Sequence, residues 1–154
     1  MTIETALEAL AKTFGDRIQT GHSVRALHGS NESYYTEVLP DAVFAPRSTD
    51  EVSETVRICA AHGCPIVPWG VGTSLEGHAL ATSGGLSLDM GEMAHVIEVN
   101  DADMDVRVQP GCTREALNTE LRATGLFFPV DPGANATLGG MAATRASGTT
   151  AVRY

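Results

Sequence analysis

The chain has 154 residues, a formal net charge of −9, 43% hydrophobic residues and 19% charged ones. That length supports a core hiding roughly 70% of the extended surface without disulfide or metal staples, and the composition is globular. The charge argues against nucleic acid and anionic membranes as partners, because phosphate neutralisation needs surplus Lys and Arg, and no apolar run of about 18 residues is present to span a bilayer.

Ile3, Leu7, Leu10 and Phe14 recur at helical spacing, with Thr2 as N-cap and Gly15 as stop. The opening MTIETALEALAKTF has neither a basic region before an apolar stretch nor an arginine bias, so no leader is expected and a cytoplasmic location is. Residues 20–40 are polar and irregular, with Asn31 to Tyr35 read as a loop. AVFAP, Ala42 to Pro46, reads as a short strand ended by proline. Ser48-Thr49-Asp50-Glu51 is a capping box, in which Glu51 reaches back to the cap N–H. Val52, Val56, Cys59 and Ala60 then give one apolar helix face, and Gly63 ends the helix. Pro65 to Trp69 and Gly85 to Met90 read as two more strands. Strand, helix and strand at this spacing make a parallel unit.

The pattern changes near residues 90–95. His95 to Val99 and Met104 to Gln109 alternate around a polar NDAD, which predicts a hairpin. Thr113 caps a helix carrying Leu117 and Leu121, stopped by Gly125. Cys59, Cys64 and Cys112 form no C-x-x-C, and the five histidines form no H-x-x-H or H-E-x-x-H. Free thiols and no metal site within the chain are expected.

Two glycine clusters carry the chemistry. VPWGVGTSLEGHA, residues 67–79, nearly matches two phosphate loops. As a P-loop it has Gly72 and Gly77 at the right separation, but His78 and Ala79 replace the lysine and the hydroxyl. As a Rossmann fingerprint it has Gly70 and Gly72, but Leu75 replaces the third glycine. Gly70 and Gly72 still permit close backbone approach, successive N–H groups from Val71 to Leu75 can nest an anion, and Thr73 and Ser74 add donors. Glu76 must point away from any phosphate. The alternative is a tight turn that uses glycine for geometry alone. The second cluster, DPGANATLGGMAATRASG at 131–148, offers small residues and hydroxyls to a flat ligand. Its alternative is a small-residue helix packed tightly on a sheet.

Together the clusters resemble the FAD domain of the vanillyl-alcohol oxidase / p-cresol methylhydroxylase (PCMH-type) flavoprotein superfamily. Within it they are most similar to the group of FAD-linked D-lactate dehydrogenases (cytochrome) and glycolate oxidase subunits. The carrying segments are PDAVFAPRSTDEVSETVRIC, PIVPWGVGTSLEGHA, GGLSLDM, VQPGCTREALN and GLFFPVDPGANATLGGMAATRASGTTAVRY. The resemblance implies an α+β fold of two α/β lobes: a small parallel β-α-β lobe, about 41–92, then the start of an antiparallel-sheet lobe, about 93–154. An N-terminal helical and loop segment, 1–40, precedes them, and the domain is expected to be incomplete after Tyr154.

The resemblance also implies that Gly70, Val71, Gly72, Thr73 and Ser74 cradle the FAD pyrophosphate. Pro132, Gly133, Thr137, Gly140, Met141, Thr144, Ser147 and Gly148 would line the cofactor. Some relatives tether FAD through a histidine in the first loop; Thr73 at that position implies noncovalent FAD, and His78 is not expected to take the role. The implied reaction is oxidation of a D-2-hydroxy acid, with electrons passed to an acceptor such as cytochrome c. Arg145 and Arg153 are expected to be structural or solvent-facing, and no catalytic residue is assigned. The open alternatives are a binding module without turnover and relatives acting on glycolate, D-2-hydroxyglutarate or another alcohol.

Overall fold

A computed structural model describes residues 2–154. The chain divides into two compact units between Asp89 and Met90.

The first unit opens with α1, Ile3–Phe14. Thr2 caps it by accepting from the Thr5 N–H at 3.3 Å, and the Thr5 hydroxyl oxygen accepts from the Thr2 N–H at 3.1 Å. Ala6 and Leu10 are fully buried. The expected irregular stretch 20–40 contains a helix instead: α2, His22–Leu27. It has six residues and no side-chain cap, too little local signal to stand out. Its order comes from tertiary bonds, such as Arg25 Nε donating to the Pro40 carbonyl at 2.6 Å.

Strand β1, Ala42–Phe44, is buried throughout. Helix α3, Thr49–His62, is capped by Ser48 and ends at Gly63 in the left-handed region, φ 69°. Two expectations for α3 are corrected. Glu51 Oε2 accepts from the Arg47 N–H at 2.7 Å, one residue before the cap. The buried face is Thr55, Ile58 and Cys59, while Val56 and Ala60 are exposed. Thr55 can be buried because its hydroxyl donates to the Glu51 carbonyl at 2.7 Å, so a polar residue takes the place assigned to valine.

Strands β2, Ile66–Trp69, and β3, Leu86–Asp89, complete a parallel three-stranded sheet of order β1-β3-β2. Leu86 pairs with both Ala42 and Ile66. Pro68 sits on an edge strand, where a missing N–H is tolerated.

The second unit holds the expected hairpin of β4, Val96–Asn100, and β5, Asp105–Val108, antiparallel. Helix α4, Arg114–Leu121, is capped by Thr113 and buries Leu117 and Leu121. Helix α5, Leu138–Thr144, is capped by Thr137. Val96, Val99, Val106, Val108, Phe128 and Leu138 pack against Cys112, Leu117 and Leu121. All three cysteines are free and buried. Burial foremost, with Cys64 adding to it, pushes the Cys59 thiol up to about 12, so it carries no thiolate at neutral pH.

Candidate cofactor site

The loop after β2 is built on Trp69. The ring is buried with Ala79 and Leu80, and Val38 packs on them. At Gly72 φ is +68°, and a Cβ there would lie 2.4 Å from Trp69 Cζ2. The glycine is therefore required by the chain's own packing as well as by any ligand. At Gly77 φ is +75°, and a Cβ there would lie 2.5 Å from the Tyr35 ring and 3.4 Å from Ser33 Oγ. Around these two fixed points the loop is open: Val71, Thr73, Leu75, Glu76 and His78 are exposed.

The N–H groups of Val71 to Glu76 donate no hydrogen bond to any described residue. A run of free amides around a left-handed glycine leaves donors that an anion could accept from, as in a nest. At the far end of the loop, Ser33 Oγ is buried near Gly77 without a hydrogen-bond partner among the described residues. These residues therefore fit a phosphate-bearing cofactor, gripped by dipoles rather than by a lysine.

Sequence reasoning missed the support beneath the loop. His28 is buried, and its ring lies 5.0 Å from the Trp69 ring. Its Nδ1 is 2.9 Å from the Val24 carbonyl and its Nε2 is 3.0 Å from Asp89 Oδ2. Burial works against the charged ring, but the bonds to Asp89 and Val24 and the Asp89 charge outweigh it, raising the pKa above 6.5. The available signal was the single tryptophan immediately before the glycines; its histidine partner is 41 positions earlier and gave none.

Part of the second cluster is engaged in packing and backbone bonds. At α5 the Leu138 N–H donates to the Cys112 carbonyl at 2.8 Å, Gly139 N–H to the Pro110 carbonyl at 2.9 Å, and Gly140 N–H to Thr137 Oγ1 at 3.3 Å. These amides are committed within the unit. A Cβ at Gly139 would meet Pro110 at 2.6 Å, and one at Gly148 would meet the Asp131 carbonyl at 2.1 Å. Thr137 and Met141 are buried, and Met141 lines an apolar hollow of about 600 Å³ with Val106, Leu117 and Phe128. Pro132, Gly133, Gly140, Thr144 and Ser147 remain exposed. Arg145 ends α5 in the left-handed region, φ 51°, and is exposed. Arg153 lies over the Tyr154 ring at 5.4 Å.

A family profile described as an FAD binding domain matches residues 40–154. The chain belongs to that family. Its cofactor is FAD. It is 47% identical over 153 residues to a probable mitochondrial D-lactate dehydrogenase of Danio rerio, covering 99% of this chain and 31% of the relative. It is 32% identical over 157 residues to the glycolate oxidase subunit GlcD of Bacillus subtilis (strain 168), covering 100% and 33%. The chain thus spans about a third of the length of these relatives. Among solved structures, an alkyldihydroxyacetonephosphate synthase superposes with TM-score 0.86 at 25% identity, over 100% of this chain and 34% of that one. p-Cresol methylhydroxylase superposes at TM-score 0.64 and 18% identity, over 82% and 25%, a likeness of fold alone. The fold is the PCMH-type FAD-binding fold.

Proposed function

We propose that the chain is the cofactor-holding part of an FAD-dependent dehydrogenase that oxidises a D-2-hydroxy acid, D-lactate foremost, to the 2-oxo acid. The observation that carries the reading is the open loop after β2, whose Val71 to Glu76 amides are uncommitted, in a chain of the FAD binding domain family. FAD held here would supply a hydride acceptor at flavin N5, with a cytochrome or another molecule as the final electron acceptor.

The chain's own residues bind and orient. The backbone of Gly70, Val71, Gly72, Thr73 and Ser74 grips the pyrophosphate, and the Thr73 and Ser74 hydroxyls add donors. Exposed Pro132, Gly133, Gly140, Thr144 and Ser147 face the cofactor. Thr137, Met141 and Gly148 set the shape of that segment from within. With Thr73 at the tethering position, FAD is held noncovalently. Free buried thiols support a reducing compartment such as the cytoplasm.

The test is anaerobic mixing of the FAD-loaded gene product that carries this chain with D-lactate, D-2-hydroxyglutarate and glycolate. Loss of visible flavin absorbance with D-lactate is expected. No bleaching by any of the three, with flavin still bound, overturns the reading. Because the chain spans about a third of its relatives, a second reading is a module that holds FAD without turnover. It predicts that the isolated chain binds FAD and is bleached by none of the three.

A further inference from the structure

His28 makes two bonds that a neutral imidazole cannot donate together. The Val24 carbonyl, 2.9 Å from Nδ1, only accepts, and Asp89 Oδ2, 3.0 Å from Nε2, accepts when ionised. A neutral ring has one N–H and an imidazolium has two. The ring thus joins the end of α2 to the end of β3, with Trp69 at the end of β2 packed against it at 5.0 Å. Trp69 in turn occupies the space a side chain at Gly72 would need. An uninterrupted line of contact runs from Asp89 through His28 and Trp69 to the glycine turn.

Asp89 is the charged group that faces the ring. Trp69 does not titrate, and β1, Ala42–Phe44, carries no titratable side chain. Arg25 on the same helix bonds the Pro40 carbonyl.

We propose that His28, with a proton on each ring nitrogen, is a positioning residue that fixes Trp69 and through it the Gly70–Gly72 turn, so that pyrophosphate binding weakens when His28 loses its second proton. This rests on the cofactor reading above. The clamp is complete below 6.5, the ordinary histidine value. It is lost as the pH rises through the raised value of the folded protein; burial, the largest single effect, lowers that value, and the Asp89 bond, the Val24 bond and the Asp89 charge together outweigh it.

The experiment follows the His28 ring and the amides of Gly70, Gly72 and Thr73 by NMR across pH in the cofactor-free chain, and then FAD affinity across the same range. The amides are expected to shift with the His28 titration, and the single tryptophan to brighten as imidazolium quenching ends. The FAD dissociation constant should rise about tenfold, the loss of one charge-assisted bond. His28→Gln, which keeps one donor toward Asp89 and does not titrate, should flatten all three profiles. Circular dichroism certifies that it folds, and His28→Asn serves if it does not. Amides that ignore the His28 titration, or a glutamine variant with the wild-type pH profile, overturn the proposal. Amides that follow His28 in a protein that binds no FAD at any pH would leave the clamp standing and overturn the cofactor reading instead.

Discussion

At Gly72 two demands coincide. The backbone sits at φ +68°, and a Cβ would stand 2.4 Å from the Trp69 ring. The left-handed region costs a β-branched residue roughly 1–2 kcal/mol, and overpacking against a buried aromatic adds about 1–3 kcal/mol. Gly72→Val should therefore abolish FAD binding and also disturb Trp69, seen as a changed emission maximum in the cofactor-free chain. His78 is exposed and forms no hydrogen bond with a described residue, so His78→Ala should leave both readings within twofold of wild type. Titration calorimetry with FAD checks the pair. If His78→Ala lost the flavin, a side chain rather than the backbone would be gripping the cofactor.

At the scale of elements, α3 is tied to the turn after α1 by Arg17 and Glu51. The guanidinium donates to both carboxylate oxygens, at 2.6 and 2.9 Å, and also to the Ala45 carbonyl at 2.8 Å. It lies 5.0 Å from the Phe44 ring centroid. The Arg17 bond foremost, opposed by burial and aided by the Arg47 N–H, holds the Glu51 carboxyl down to about 2. Its folded value lies below the unfolded 4.5, so the contribution is whole above pH 4.5 and disappears as the pH falls towards 2. Glu51→Gln should cost about 1–2 kcal/mol at neutral pH, with the gap to wild type closing between pH 4.5 and 2 in urea unfolding. This tie also shows what sequence could and could not reveal. The caps Thr2, Ser48, Thr113 and Thr137 act within four residues, and all but Thr137 were legible as caps. The glycine loop was legible because positive φ and lack of bulk are properties of glycine itself. Arg17–Glu51 and His28–Asp89 span 34 and 61 positions, beyond any local pattern. The face of α3 was misjudged because burial followed Ile58 and a self-satisfied Thr55 rather than Val56. The packing role of Gly139 and Gly148 in the second cluster was not legible, because contacts with Pro110 and Asp131 cannot be told from ligand space by residue type.

At the scale of the whole molecule, the formal charge of −9 and an anionic cofactor pull in opposite directions. A site that held pyrophosphate with Lys or Arg would gain from attraction at low salt and weaken as salt screened it. In the loop of residues 70–78 no Lys or Arg is present. On the proposed reading the grip there would come from backbone dipoles, which act over a few ångströms and are little affected by salt. The field of the acidic chain reaches about 10 Å at 0.1 M ionic strength and about 30 Å at 0.01 M, and it repels the cofactor on approach. Raising the salt should therefore strengthen FAD binding, by roughly two- to threefold between about 0.01 and 0.15 M, mainly through a faster association rate. Stopped-flow quenching of flavin fluorescence across that range measures it. A dissociation constant that rises steeply with salt would place a basic side chain on the phosphates and remove the backbone nest as the main holding element.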